Sequence, residues 1–135
     1  MIGSAILSAC SAPPEPISVG RAKGNIVFWN GDIVSVDGWL GKCEGFDCAL
    51  FPSRATMEEM RSNLPSSDEA LDAYEQALGI GADARFDEKA KAYQYRHVRI
   101  RGRLDSTCTF HTCFDRVTDL HPMDIQPLKA TSKAD

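Results

Sequence analysis

The residues best equipped for chemistry are cysteines. Four of the five fall into two pairs of identical spacing, Cys43 and Cys48 in Cys-Glu-Gly-Phe-Asp-Cys and Cys108 and Cys113 in Cys-Thr-Phe-His-Thr-Cys, while Cys10 stands apart near the N-terminus. Four cysteines allow three disulfide connectivities. The short spacing suits a hairpin whose flanking positions face each other across the strands, at a Cα separation of roughly 4.5–5.5 Å that a disulfide can bridge. The expected bridges are therefore Cys43 to Cys48 and Cys108 to Cys113. Loops this short gain only about 2 kcal/mol each, so they would clamp local turns rather than hold the whole fold. The rival chemistry is a zinc site of four thiolates, or of three thiolates with His111, since tetrahedral zinc takes such ligands readily. The spacing is wider than the C-x-x-C of zinc knuckles and of redox-active dithiols.

A second constellation is a basic row. His97, Arg99, Arg101 and Arg103 alternate with apolar residues and share the parity that points away from them. Such a row could hold an anionic glycan, a phospholipid headgroup or an acidic protein segment through bidentate guanidinium contacts. The competing expectation is a solvated strand face neutralised by Asp37, Asp105 or Asp115, each cross-strand pair contributing about 0.2–1 kcal/mol. Trp39 could stack on a sugar or base, but packing beneath another element is the stronger expectation for so large a ring. His111, His121, Asp115, Asp119 and Asp124 form no recognisable acid and base pair or metal spacing, and no phosphate loop, G-x-S-x-G or H-E-x-x-H occurs. The residues call for no cofactor and point away from an enzyme.

The chain has 135 residues, 43% of them hydrophobic, with 15 basic against 19 acidic side chains and a net charge of −4. One small domain fits, and no global positive field exists to hold nucleic acid. No apolar run reaches the roughly 18 residues of a spanning helix. Met1 to Ala9 is small to apolar and uncharged, and Cys10 is followed by Ser-Ala-Pro-Pro-Glu-Pro, the pattern of an export segment and a linker. Leu7-Ser8-Ala9-Cys10 resembles the lipobox of bacterial lipoproteins, although no Lys or Arg precedes the apolar stretch. The resemblance implies acylation of Cys10, a lipid anchor, and a place in the bacterial cell envelope, with Ser11 compatible with the outer membrane facing the periplasm. Outside the reducing cytosol, disulfides are favoured over thiolate zinc.

These side chains need a scaffold, and an internal repeat suggests one. Val34-Ser-Val-Asp-Gly-Trp-Leu40 aligns with Val98-Arg-Ile-Arg-Gly-Arg-Leu104, each just ahead of a cysteine pair. The alternation marks two half-buried strands, with Val34, Val36 and Leu40, and Val98, Ile100 and Leu104, facing inward. Gly38 and Gly102 are expected at bulges or bends. Each copy would return through its cysteine loop, to Ala49-Leu50-Phe51 and to Phe114-Asp115-Arg116-Val117. Between them lies a helical insert over 54–80, with capping boxes at Thr56/Glu59 and Ser66/Glu69 and a face of Leu71, Tyr74, Ala77 and Leu78. Phe86 to Tyr93 is expected to add a helical turn. Residues 25–128, with V-x-V-x-G-x-L, V-x-I-x-G-x-L-D and R-V-T-D-L, resemble bacterial lipoprotein-like proteins built on a small OB-like β-barrel. That resemblance implies a mainly β fold with a helical insert (α+β), two pseudo-repeated hairpins, and no activity to carry over. Residues 1–9 read as a truncated export signal, 10–24 as lipidated cysteine and tether, and 129–135 as a polar tail. The functional expectation is a non-enzymatic envelope module that binds or scaffolds an anionic ligand or another envelope protein.

Overall fold

The computed structural model describes residues 11–113 and 116–129; Cys10, the returning residues Phe114 and Asp115, and the tail beyond 129 lie outside them. The fold is mixed α+β, a six-stranded and mostly antiparallel sheet with several helices. In chain order the elements are β1 (Ile17–Ser18), α1 (Val19–Gly24), β2 (Ile33–Glu44), β3 (Asp47–Phe51), α2 (Arg54–Ser62), α3 (Asp68–Gln76), β4 (Leu78–Gly79), α4 (Ala84–Ala90), β5 (His97–Leu104), α5 (Thr107–Phe110) and β6 (Leu120–Pro127).

The two repeat copies meet each other. β2 and β5 pair antiparallel with Val36 opposite Ile100, so Val34 faces Gly102 and Gly38 faces Val98. Both apolar faces are buried, with Val36, Leu40, Val98 and Ile100 at 0% exposure. β2 is long enough to serve two neighbours: its first half pairs with β5, its second half with β3, and β1 adds in parallel at Val36 and Asp37. The five principal strands run in the order β4-β3-β2-β5-β6. A parallel bridge between Ile80 and Leu120, with Gly81 N–H donating to the Leu120 carbonyl at 2.9 Å, connects the chain just after β4 to β6.

Several expectations are corrected. The linker does not run to residue 24: Ser18 caps α1 by accepting from Arg21 N–H, and Ile17, Val19 and Ala22 enter the core. Of the expected return of the second copy, Arg116 and Val117 belong to a connection, and β6 begins at Leu120. The insert helices start from Ser53 and Ser67, not from Thr56 and Ser66; the two serine hydroxyls accept from Thr56 and Ala70 N–H, as N-caps do. α3 buries Ala70 and Ala73 rather than Leu71, which is 52% exposed, and Leu78 has left the helix for β4. The small alanines let α3 approach closely a second apolar cluster of Trp39, Phe51 and Met57 on the outer face of the sheet. Phe86 is buried within α4 as expected.

Candidate functional site

Both expected disulfides are present, Cys43 to Cys48 and Cys108 to Cys113. The first joins directly opposed residues of the β2–β3 hairpin, at a Cα separation of 4.0 Å. The second departs from the hairpin expectation and joins the short α5 to the chain beyond it, inside the connection from β5 to β6. Among the described residues, the group within reach of a common ion is Cys43, Cys48 and Asp87, without Cys108 or Cys113, and its two sulfurs are bonded to each other.

The basic row is largely committed within the protein. Arg99 makes a bidentate pair with Asp37 at 2.7 and 3.0 Å, which raises the Arg99 pKa. Arg103 donates to the Gly31 carbonyl at 2.9 Å, and Arg101 lies opposite Asp124, whose carboxylate is already bound by Lys89 at 2.8 Å. His97 stacks on Trp39 with ring centroids 5.3 Å apart, its Nδ1 buried without a partner. Trp39 is 8% exposed, packed under the insert, with the Arg54 guanidinium 5.7 Å from its ring. The ring is packed in the cluster with Met57 and Ala73, the placement its size favoured.

No signal in the sequence marked the most tightly held polar group. The buried Arg116 guanidinium uses all five of its N–H donors. Nε donates to Ile80 O at 2.7 Å, Nη1 to Asp87 Oδ2 and Gly45 O, and Nη2 to Asp87 Oδ1 and Gly81 O. Nη2 also lies 3.4 Å from Cys43 Sγ. One side chain thus ties the β5–β6 connection to α4, to the segment after β4 and to the tip of the β2–β3 hairpin.

This knot positions a groove. Between the hairpin tip and the connection lie two adjoining hollows of about 180 and 280 Å³ that share Lys23, Val117 and Asp119. Phe46, 79% exposed, borders the first. It follows Gly45 in a two-residue turn whose first position has φ +62°, as a type II′ hairpin requires. Lys23 Nζ donates to the carbonyls of Glu75 and Ala77 at the end of α3, leaving one of its three donors. Asp119 is 8% exposed and accepts from Gly79 N–H at 2.8 Å; burial pushes its pKa up, against the opposing pull of that N–H and of Lys23. Tyr74 lines the same wall and donates to Asp47 at 3.2 Å, its pKa pushed up to about 12 by burial first and the Asp47 charge second. The groove therefore combines an exposed aromatic ring, an ammonium and a nearly buried carboxyl.

The connection is also held at its entrance. Asp105 accepts from Thr107 N–H and from His121 Nε2, each at 2.8 Å. The Thr107 hydroxyl and His121 together with that N–H bring the Asp105 pKa down to about 2 from 3.8. A carboxylate depressed in this way adds stability above its unfolded pKa and loses it as pH falls through the folded value. Denaturant midpoints measured from about pH 5 down to about pH 2 should fall for the wild-type chain, and Asp105→Asn should flatten part of that fall; parallel curves for the two proteins would refute the coupling.

No helix among the described residues is long and apolar enough to cross a membrane. Neither a family model, nor a curated protein, nor a solved structure matches the chain.

Proposed function

We propose that this chain is an exported, non-enzymatic binding module of the bacterial envelope, lipid-anchored at Cys10, with an OB-like small barrel that presents the Phe46–Asp119 groove to a glycan. Export is supported by the pairing of Cys43, Cys48, Cys108 and Cys113 into disulfides, which persist in oxidising compartments. The barrel reading is supported by the strand order together with the Ile80–Leu120 bridge, a circuit in which β1 is an addition to five strands. OB-folds bind oligosaccharides and oligonucleotides near their second and third strands and the loops beside them. The groove lies at the corresponding hairpin tip and connection, and a net charge of −4 disfavours the nucleic acid.

The observation that carries the binding reading is the groove's side-chain set. A sugar ring offers an apolar C–H face and a rim of hydroxyls that both donate and accept, complementary to Phe46, to the remaining Lys23 donor and to Asp119. The Lys23 ammonium extends this to anionic sugars. In the basic row, by contrast, Arg99 is engaged with Asp37 and Arg103 with the Gly31 carbonyl, and Arg101 lies opposite Asp124. Titrating the folded chain with neutral and carboxylated amino-sugar oligosaccharides, followed by amide chemical shifts, should perturb residues around Phe46, Val117 and Asp119. Phe46→Ala should weaken that binding by about tenfold, the scale of one lost aromatic contact, without lowering stability. Shifts confined to the His97–Arg103 strand, or none with either sugar class, would sink the assignment.

A further inference from the structure

We infer that one end of the domain, formed by the turn before β2 and the start of the β5–β6 connection, rests on the bilayer that receives the lipid anchor, with Phe28 and Phe110 entering its interface. The inference builds on the reading of Cys10 as the acylated residue.

The position of the tether comes first. Ala12 N–H donates to Asp32 Oδ2 at 3.0 Å, and the Ala12 side chain packs against the main core. The chain is thus fixed two residues after Cys10, and two residues span at most about 7 Å. An acyl group on Cys10 would hold whatever surrounds Asp32 against the membrane.

The surroundings of Asp32 are one connected structure. Gly31 N–H donates to Leu104 O at 2.8 Å, Leu104 N–H donates to Asp32 O at 2.9 Å, and Ser106 donates twice to Asn30 Oδ1. α5, which ends at Phe110, therefore begins beside the turn that carries Phe28. Nine large apolar side chains are exposed among the described residues, and four of them belong to this region: Val27, Phe28, Ile33 and Phe110. Phe28 and Phe110 are 78% and 66% exposed among the described residues.

Charge agrees with this occupant. Arg21, 5.7 Å from the Trp29 ring, and Arg103, on Gly31 O, flank the turn with exposed guanidinium groups suited to anionic headgroups. The acidic groups of the same region are occupied, Asp32 by Ala12 N–H and Asp105 by Thr107 and His121. Apolar rings flanked by cations are the composition of an interfacial surface. A short tether and an apolar face at one end would together give the lipoprotein a fixed orientation rather than a free swing.

The test uses the full chain with Cys10→Ser, which removes acylation while every variant keeps the same N-terminal residues. Flotation is measured with vesicles of phosphatidylethanolamine and phosphatidylglycerol. The Cys10→Ser chain should float with the vesicles. Adding Phe28→Asp and Phe110→Asp should reduce the bound fraction about tenfold at unchanged thermal stability, whereas Leu64→Asp with Leu71→Asp should leave it unchanged. No flotation of the Cys10→Ser chain, or equal loss in both double variants, overturns the inference. So does concentration-dependent self-association without vesicles that is abolished by the Phe28 and Phe110 changes while flotation persists, since the face would then cover a second copy. Acylation itself is read separately from the mass of the mature wild-type chain, so failure of the anchor and failure of the face are distinguishable.

Discussion

Replacing Asp87 with alanine is expected to lower the unfolding free energy by about 3 kcal/mol. The Arg116 side chain is only 4% exposed, so losing its carboxylate strands a cation in a place where water cannot replace two short hydrogen bonds. Breaking a buried pair typically costs about 3–5 kcal/mol, and the partial exposure of Asp87 places this case at the lower end. A small domain has only about 5–15 kcal/mol in total, so the variant should melt far below the parent. Arg116→Met should also be destabilised, since it leaves the Ile80, Gly45 and Gly81 carbonyls without their donor. Chemical denaturation of Asp87→Leu, Arg116→Met and the double variant gives the coupling directly, and the double should lose less than the sum of the two singles. If the two losses simply add, the ion pair is not what holds the connection. Because Arg116 fixes the chain that carries Val117 and Asp119, Asp87→Ala should also weaken ligand binding in the groove.

The second large effect is at the paired glycines. A Cβ on Gly38 would lie 2.7 Å from Leu50 Cγ and from the Phe51 carbonyl, and one on Gly102 would overlap the His121 carbonyl. In each case the obstacle includes backbone of a neighbouring strand, which cannot retreat without opening the sheet. Gly38→Ala and Gly102→Ala should each cost about 3 kcal/mol, the upper part of the range for overpacking a filled interior. Gly20, in α1, has nothing within 4 Å of a built Cβ, so Gly20→Ala should be neutral or stabilising by up to about 1 kcal/mol. Equilibrium unfolding of the three variants checks this, and a Gly102→Ala protein as stable as the parent would mean that β5 and β6 do not approach as closely as described.

What the sequence made legible depended on the range of the interaction. The cysteine spacing anticipated both bridges, because closure over so few residues is easily reached. The alternation at Val34–Leu40 and Val98–Leu104 marked the inward faces, since strand parity is a local property. The partnership of Val36 with Ile100 was anticipated only as a shared interior, and their direct opposition comes from the β2–β5 register. Ile17, Val19 and Ala22 were hidden by the proline-rich stretch just ahead, although Ser18 as a cap was a readable sign. The Arg116–Asp87 pair left no mark, because a charge pair between distant segments has no period or motif. Lys23 and Val117 were equally silent. Phe46 was detectable: an aromatic residue at the tip of a bridged hairpin has no interior to enter. At the row His97–Arg103 parity put the charges outside and the sequence already offered Asp37 as a neutralising neighbour, but nothing in it revealed Gly31 or Asp124 alongside.

The knot at Arg116, the clamp at Cys108–Cys113 and the entrance pair at Asp105 and His121 all restrain one connection. Restraint of that kind lowers the ordering cost of binding, which suits the recognition role proposed above. The most direct test of the central claim, an anchored and oxidised envelope module, is the intact mass of the mature chain extracted from membranes, before and after reduction. The account predicts a chain beginning at Cys10, heavier by its acyl groups and gaining four hydrogens on reduction. An unacylated chain that retains Met1 and gains none would contradict it.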